Sequence, residues 1–165
     1  MATTIFTRNS LPYEQPIRKR SSFRATTGDG WESPKLIEIG GRALDGSMYT
    51  NHYFYADSSP VVRNFVQKYK DRYGAIPDGM AALGYDAARV LADALKRAKK
   101  LDGPSVRDAI GVTRNFAGVT GTITIGPERN AVGKKIIIEE VKNGQLTLRA
   151  TIEPNGATPT ATAAQ

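Results

Sequence analysis

Along the central part of the chain, apolar residues recur first every three to four positions and then every second position, so helices precede strands. Ser33 before Pro34 is a cap residue followed by proline at the first helical position. It predicts a short helix to about Ile39, stopped by Gly40-Gly41. Ser47 to Tyr55 is rich in Tyr and Phe and reads as a strand. Ser59-Pro60 repeats the cap-and-proline signature. Val61, Val62, Phe65, Val66, Tyr69 and Tyr73 then keep helical spacing until Gly74, with Arg63, Lys68, Lys70 and Arg72 on the wet side. The longest helix is expected from Gly79 to about Lys99, with Asp78 as its N-cap. Met80, Leu83, Ala87, Val90, Leu91, Ala94, Leu95 and Ala98 form one continuous apolar stripe on it. Lys96, Arg97, Lys99 and Lys100 crowd its last turn, where the helix dipole favours cations. A further short helix is expected from Pro104 to about Val112.

The period then changes. Val119, Gly121, Ile123 and Ile125 alternate with Thr120, Thr122 and Thr124. Ile136 to Lys142 reads as a second strand, Asn143-Gly144 as a two-residue type I′ turn, and Leu146, Leu148, Ala150 and Ile152 as the return strand. The expected architecture is mixed α/β, a helical pair followed by a three-strand antiparallel meander.

Charge separates the ends from the middle. The 165 residues hold 23 Lys+Arg against 16 Asp+Glu, a net charge of +7. Residues 1–24 contribute +4 of it through Arg8, Arg18, Lys19, Arg20 and Arg24 against Glu14. They show no sustained period and read as a disordered basic arm; Asn155 to Gln165, rich in Thr and Ala, reads as a disordered tail. Residues 25–154 are left as the folded part. No aromatic ladder accompanies Arg18-Lys19-Arg20, so nucleic acid is not the expected partner. No apolar run approaches the ~20 residues that cross a bilayer, and no apolar stretch follows a basic start as an export signal requires.

Candidate chemistry is sparse. With no Cys and a single histidine, His52, there is no disulfide framework, thiolate zinc site, Cys nucleophile or two-imidazole metal site. Gly-Asp-Gly at 28–30 is not a Walker loop or dinucleotide fingerprint, so no cofactor is expected. Asp29 with Glu32 could serve as a carboxylate pair, and Ser33, His52 and Asp57 as a triad. Nothing in their spacing orders them, and Ser33 has a cap role already. An enzyme is not expected.

Three segments carry a resemblance: Gly28-Asp29-Gly30-Trp31-Glu32-Ser33-Pro34-Lys35-Leu36, Tyr49-Thr50-Asn51-His52-Tyr53-Phe54 and Ala82-Leu83-Gly84-Tyr85-Asp86-Ala87-Ala88. Phe116 to Asn130 and Ala150-Thr151-Ile152-Glu153-Pro154 extend it. Over roughly residues 28–154 the chain resembles the C-terminal portion of the periplasmic substrate-binding proteins of branched-chain amino-acid ABC transporters, the Leu/Ile/Val-binding type of the type I periplasmic binding protein fold. The resemblance implies two α/β lobes joined by hinge strands that close on an amino acid. This chain would begin inside the second lobe and cross a hinge near Tyr49–Tyr55. It would then supply the last two long helices of the first lobe and return with the Thr120–Ile152 strands. A fragment repacked as its own compact unit is the alternative. The implied task is non-catalytic capture of an amino acid or similar small amphipathic molecule outside the cytoplasmic membrane, with a transporter permease as partner. Without an export signal, the chain as it stands is also compatible with the cytoplasm.

Within that resemblance Asp29 is the leading ligand residue, a carboxylate suited to a ligand's α-ammonium. Read from spacing alone it is a turn residue in Asp-Gly. Gly30, with Gly28, would let the backbone approach closely. Trp31 would flank the pocket or pack. Met80 is similar to a position near the ligand side chain, and its period also makes it the first core residue of its helix. The departures are as informative. An apolar strand precedes the Gly-Asp-Gly loop in the family, whereas Ser21 to Thr27 is polar and basic here. About 200 residues of an ordinary member, on the scale of one domain, have no counterpart. The expectation is a truncated product whose first ~25 residues have another origin. It would be impaired in binding alone because half of the ligand's shell is absent. The alternative is a non-catalytic self-associating module or non-functional remnant, forming homo-oligomers through an exposed lobe surface. Ile136-Ile137-Ile138 is then the segment most open to strand addition.

Overall fold

The computed structural model describes residues 25–154 and 160–161. The basic arm expected at 1–24 lies outside the described residues, as does most of the expected tail. Thr160–Ala161, within that tail, form a two-residue strand.

Four helices follow the periodic segments closely: α1 (Pro34–Gly40), α2 (Pro60–Tyr73), α3 (Gly79–Arg97) and α4 (Gly103–Gly111). The caps explain the agreement. Ser33, Ser59 and Asp78 accept hydrogen bonds from the backbone N–H of Lys35, Val62 and Ala81, each satisfying a donor the helix leaves unpaired. Gly74 ends α2 in the left-handed conformation at φ 68°, where a side chain would strain the backbone.

Among the described residues eight strands form two sheets. In the larger, β1 (Thr26–Thr27) runs parallel to β2 (Met48–Asn51). β2 pairs antiparallel with β6 (Ile136–Lys142), β6 with β7 (Gln145–Ile152), and β7 with β8 (Thr160–Ala161). Asn143 and Gly144 take φ of 53° and 71°, so the β6–β7 turn is the one its residues demand. The smaller sheet joins β3 (Phe116–Gly118), β4 (Gly121–Ile125) and β5 (Ala131–Val132).

The α/β class stands, but the expected meander is divided. β4 does not join β6; the edge of β6 that it would need is filled by β2. β4 is held elsewhere, by the Ile125 N–H donating to the Thr113 carbonyl and by pairing with β3 and β5. The same topology overturns the expectation for Ile136-Ile137-Ile138. They lie on an inner strand: Ile137 and Ile138 are paired on both sides, with β2 and β7, and Ile136 with β7.

The main apolar cluster lies around α2 and α3. Tyr53, Val62, Phe65, Val66, Ala82 and Val119 are buried together, with the Tyr53 and Phe65 rings edge to face at 6.1 Å. Tyr53 is large and polar at its tip, and its hydroxyl donates to the Pro77 carbonyl at 2.8 Å. Asp86, buried on α3, pins the β3–β4 turn: its carboxylate accepts from the Val119 and Thr120 N–H groups and the Thr120 hydroxyl, each at 2.8 Å. The single stripe read along α3 is split. Ala82, Val90 and Ala94 are buried, while Met80, Leu91 and Leu95 are 59%, 44% and 40% exposed.

Candidate ligand-binding site

The Gly28–Glu32 loop follows directly on β1, and Asp29–Trp31 form one 3-10 turn. Two side chains fasten it. Asp29 Oδ2 lies 3.0 Å from His52 Nε2, at the exit of β2, and both side chains are nearly half exposed. Glu32 Oε2 accepts the Gly79 N–H at 2.5 Å, at the first turn of α3. A Cβ at Gly79 would press on the Glu32 carboxylate and the Asn51 side-chain oxygen, so a larger residue there would have to displace both side chains. The loop is thus tied to both the sheet and the helical pair.

Beneath it lies a buried polar patch. Tyr49 and Glu139 sit opposite each other on β2 and β6, with Asn51 two residues along. Burial pushes the Glu139 carboxyl up to about 7, opposed by the Tyr49 hydroxyl, reinforced by the Glu32 charge, and opposed again by the Asn51 amide. Burial also raises Glu32, against the Gly79 amide and Asn51 that favour its charged form. It raises the Tyr49 hydroxyl as well. Tyr49 Oη, Asn51 Nδ2 and Glu139 Oε2 make no hydrogen bond of normal length and angle among the described residues, although the Tyr49 hydroxyl and Asn51 amide stand near enough to Glu139 to favour its charged form.

The residues singled out from the sequence fare differently. Asp29 is in the loop, partly exposed, with its carboxylate against His52. Gly30 is exposed, and the space where a Cβ would stand at Gly28 and Gly30 is empty. Trp31 is partly buried. Met80 is no core residue, since its side chain stands in solvent next to the Gly79–Glu32 tie. The triad does not assemble. His52 faces Asp29, Asp57 accepts from the Ser59 N–H and lies 3.6 Å from Lys135, and Ser33 caps α1. Sequence reasoning passed over Asn51 and Glu139 as site residues. A signal existed: Ile137, Glu139 and Val141 share one face of β6, and a carboxylate on an apolar face is informative. Glu32's grip on Gly79 spans 47 positions and left no local sign.

The mixed sheet, the carboxylate loop at the end of its parallel strand and the helical pair that follows make one mixed α/β arrangement. The family model described as periplasmic binding protein matches residues 22–145, and the chain belongs to that family. Its members are non-catalytic, extracytoplasmic transport binding proteins. The leucine-binding protein LivK of Thermotoga maritima is 41% identical, covering 83% of this chain and 39% of its own, with a TM-score of 0.75. A putative branched-chain amino acid ABC transporter protein of Rhodospirillum rubrum is 35% identical over 78% of this chain and 37% of its own, with a TM-score of 0.64. LivJ of Streptococcus pneumoniae, solved with isoleucine, shares the fold at 23% identity, over 79% of this chain and 37% of its own, with a TM-score of 0.71. The chain therefore spans under two fifths of the length of these relatives. No curated protein matches it. Among the described residues no helix is long and apolar enough to cross a membrane.

Proposed function

We propose that residues 25–154 supply one wall of a receptor for a branched-chain amino acid or similar small amphipathic ligand, acting in uptake outside the cytoplasmic membrane beside a transporter permease. The observation that carries this reading is Asp29: an accessible carboxylate on a glycine-flanked loop, in a chain 41% identical to a leucine-binding protein. The carboxylate takes the ligand's ammonium, a charge-assisted contact of roughly 1.5–3 kcal/mol in an enclosed site. Gly30, Trp31 and Met80 line the approach. His52 holds one oxygen of Asp29 and so fixes how the carboxylate is presented.

Enclosure decides the affinity. An exposed ion pair is worth only ~0–1 kcal/mol, so these 165 residues by themselves bind weakly. The test replaces the matching span of the Thermotoga maritima protein by residues 25–154 and titrates leucine, isoleucine and valine calorimetrically. The expected result is saturable binding that Asp29→Asn weakens roughly 10- to 100-fold, while the 165-residue chain alone does not saturate below millimolar ligand. A folded chimera that ignores all three ligands would sink the reading, as would one indifferent to Asp29→Asn. A micromolar Kd for the chain alone would overturn the weak-binding part of it.

A further inference from the structure

The polar patch under the Asp29 loop holds an acid that neither the fold nor the loop's own ties require. Glu139, Tyr49 and Asn51 are 2%, 1% and 3% exposed, and each has a side-chain atom without a well-formed hydrogen bond among the described residues. A carboxylate enclosed on these terms is costly when ionised. An apolar residue on this face of β6, beside Ile137 and Val141, would have served packing better.

The groups that bear on Glu139 come from several elements. On β2, Tyr49 lies directly across from it and Asn51 two positions along. On β7 its partner is Leu148, which carries no charge. Arg149 is drawn instead to Glu140, at 3.8 Å, the neighbour whose side chain takes the other face of β6. From the loop after β1 comes the like charge of Glu32. Asp78, before α3, adds repulsion to Glu32, and His52 favours its charged form. The Tyr53 hydroxyl is held up by burial and then by Glu32 and Glu139.

Asn51 is the joint in this arrangement. Its side-chain oxygen accepts the His52 N–H at 2.7 Å, which leaves its amide group to donate. Burial dominates both carboxyls, and the Asn51 amide favours the charged form of each. Glu32 and the Asn51 oxygen also converge at Gly79, where Glu32 holds the first amide of α3. The residue after Asn51 is His52, which contacts Asp29. Two buried carboxylates that lean on one amide resist being charged together. Ionising Glu139 therefore takes the amide from Glu32 and repels its charge, and a Glu32 that answers by binding a proton is a weaker acceptor for the Gly79 N–H.

We infer that Glu139 is a positioning residue for the Asp29 loop, acting through Asn51 and Glu32: neutral, it leaves the loop tied to α3, and ionised, it slackens that tie. The Glu139 carboxyl is pushed up to about 7, so the tie is complete below neutrality and is lost as pH rises through it. Any effect on ligand affinity rests on the receptor reading; the positioning of the loop does not.

The experiment uses the full 165-residue chain without ligand, so its failure is distinct from a failure of the receptor reading. Two probes are built in. Trp31, the single tryptophan of the chain, lies in the loop. The Gly79 amide proton, shifted downfield by its carboxylate acceptor, reports the tie itself. Trp31 emission and the Gly79 amide resonance are followed from pH 5.5 to 8.5. Both should change together with a midpoint near 7, Gly79 moving upfield as pH rises. Glu139→Gln should hold both at their low-pH values throughout. Glu32→Gln, in the loop rather than the sheet, should flatten the Trp31 response and decides the matter if Glu139→Gln does not fold. Imidazoles titrate in the same range, so His52→Gln is included and should leave both responses in place. A folded parent with no response across neutrality overturns the inference. So does a response that survives Glu139→Gln or Glu32→Gln, and so does one that His52→Gln abolishes, which would assign the pH dependence to the imidazole.

Discussion

The helical pair and the five-stranded sheet are built on opposite terms. Between α2 and α3 the buried groups are aromatic and aliphatic, and the polar ones present are fully used: Asp86 accepts three hydrogen bonds, and the Tyr53 hydroxyl donates one. In the sheet, the buried face of β2 and β6 mixes Ile137 and Val141 with Tyr49, Asn51 and Glu139, and three of its polar atoms make no well-formed hydrogen bond among the described residues. Burying polar atoms that are poorly paired costs stability, so the sheet side carries a penalty that the helical side does not. The candidate ligand loop rests on the costly side. Stability and recognition are therefore separable by mutation in this molecule.

The largest effect should come from the helical side. Phe65→Ala empties a fully packed aromatic position and should lower unfolding free energy by roughly 3–5 kcal/mol in chemical denaturation. A loss below about 1 kcal/mol would mean that α2 and α3 do not hold the fold. Glu139→Gln sharpens the other side of the contrast. In the folded chain Glu139 titrates near 7 against an ordinary 4.5. Its favourable contribution is complete below the ordinary value and is lost as pH rises through about 7. The variant should thus flatten the decline in stability between pH 4.5 and 7, and at pH 8 it should exceed the parent by on the order of 2 kcal/mol. A thermal-melt series across pH measures both; a parent whose stability rises over that window contradicts the assignment. Asp78→Ala removes an N-cap from α3 and should cost about 1 kcal/mol. Asp29→Asn should be the mildest for folding, within ~1 kcal/mol, because its contact with His52 is half exposed. A variant that unfolds would make Asp29 a structural residue and close the separation drawn above.

What could be read from the residues follows the range of the forces involved. Caps, glycine stops and the Asn143-Gly144 turn act within a few positions, and the helices and the β6–β7 hairpin fell where these signals placed them. Pairing partners act at a distance. Alternation marked β4 and β6 as strands, but it could not say that β2, nearly 90 residues before β6, would take the neighbouring edge. Periodicity likewise grouped Met80 and Leu91 with Val90 and Ala94. It counts apolar residues per turn and does not see which side of a helix has a neighbour. At the site, Asp29 was legible through the glycine-flanked pattern and the family resemblance. Its partner His52 reads from the sequence as a candidate for catalysis or metal binding, not as a neighbour of Asp29. Glu32 was invisible as a tie because its acceptor role depends on where α3 begins in space.

That tie has a mechanical consequence. With a carboxylate gripping the first amide of a 19-residue helix, the rod and the bend that bears Asp29 share a single hinge pin. A swing of the rod's far end arrives at that bend as displacement rather than slack. Loosening the joint, as Glu32→Ala would, leaves both parts folded and breaks the transmission between them.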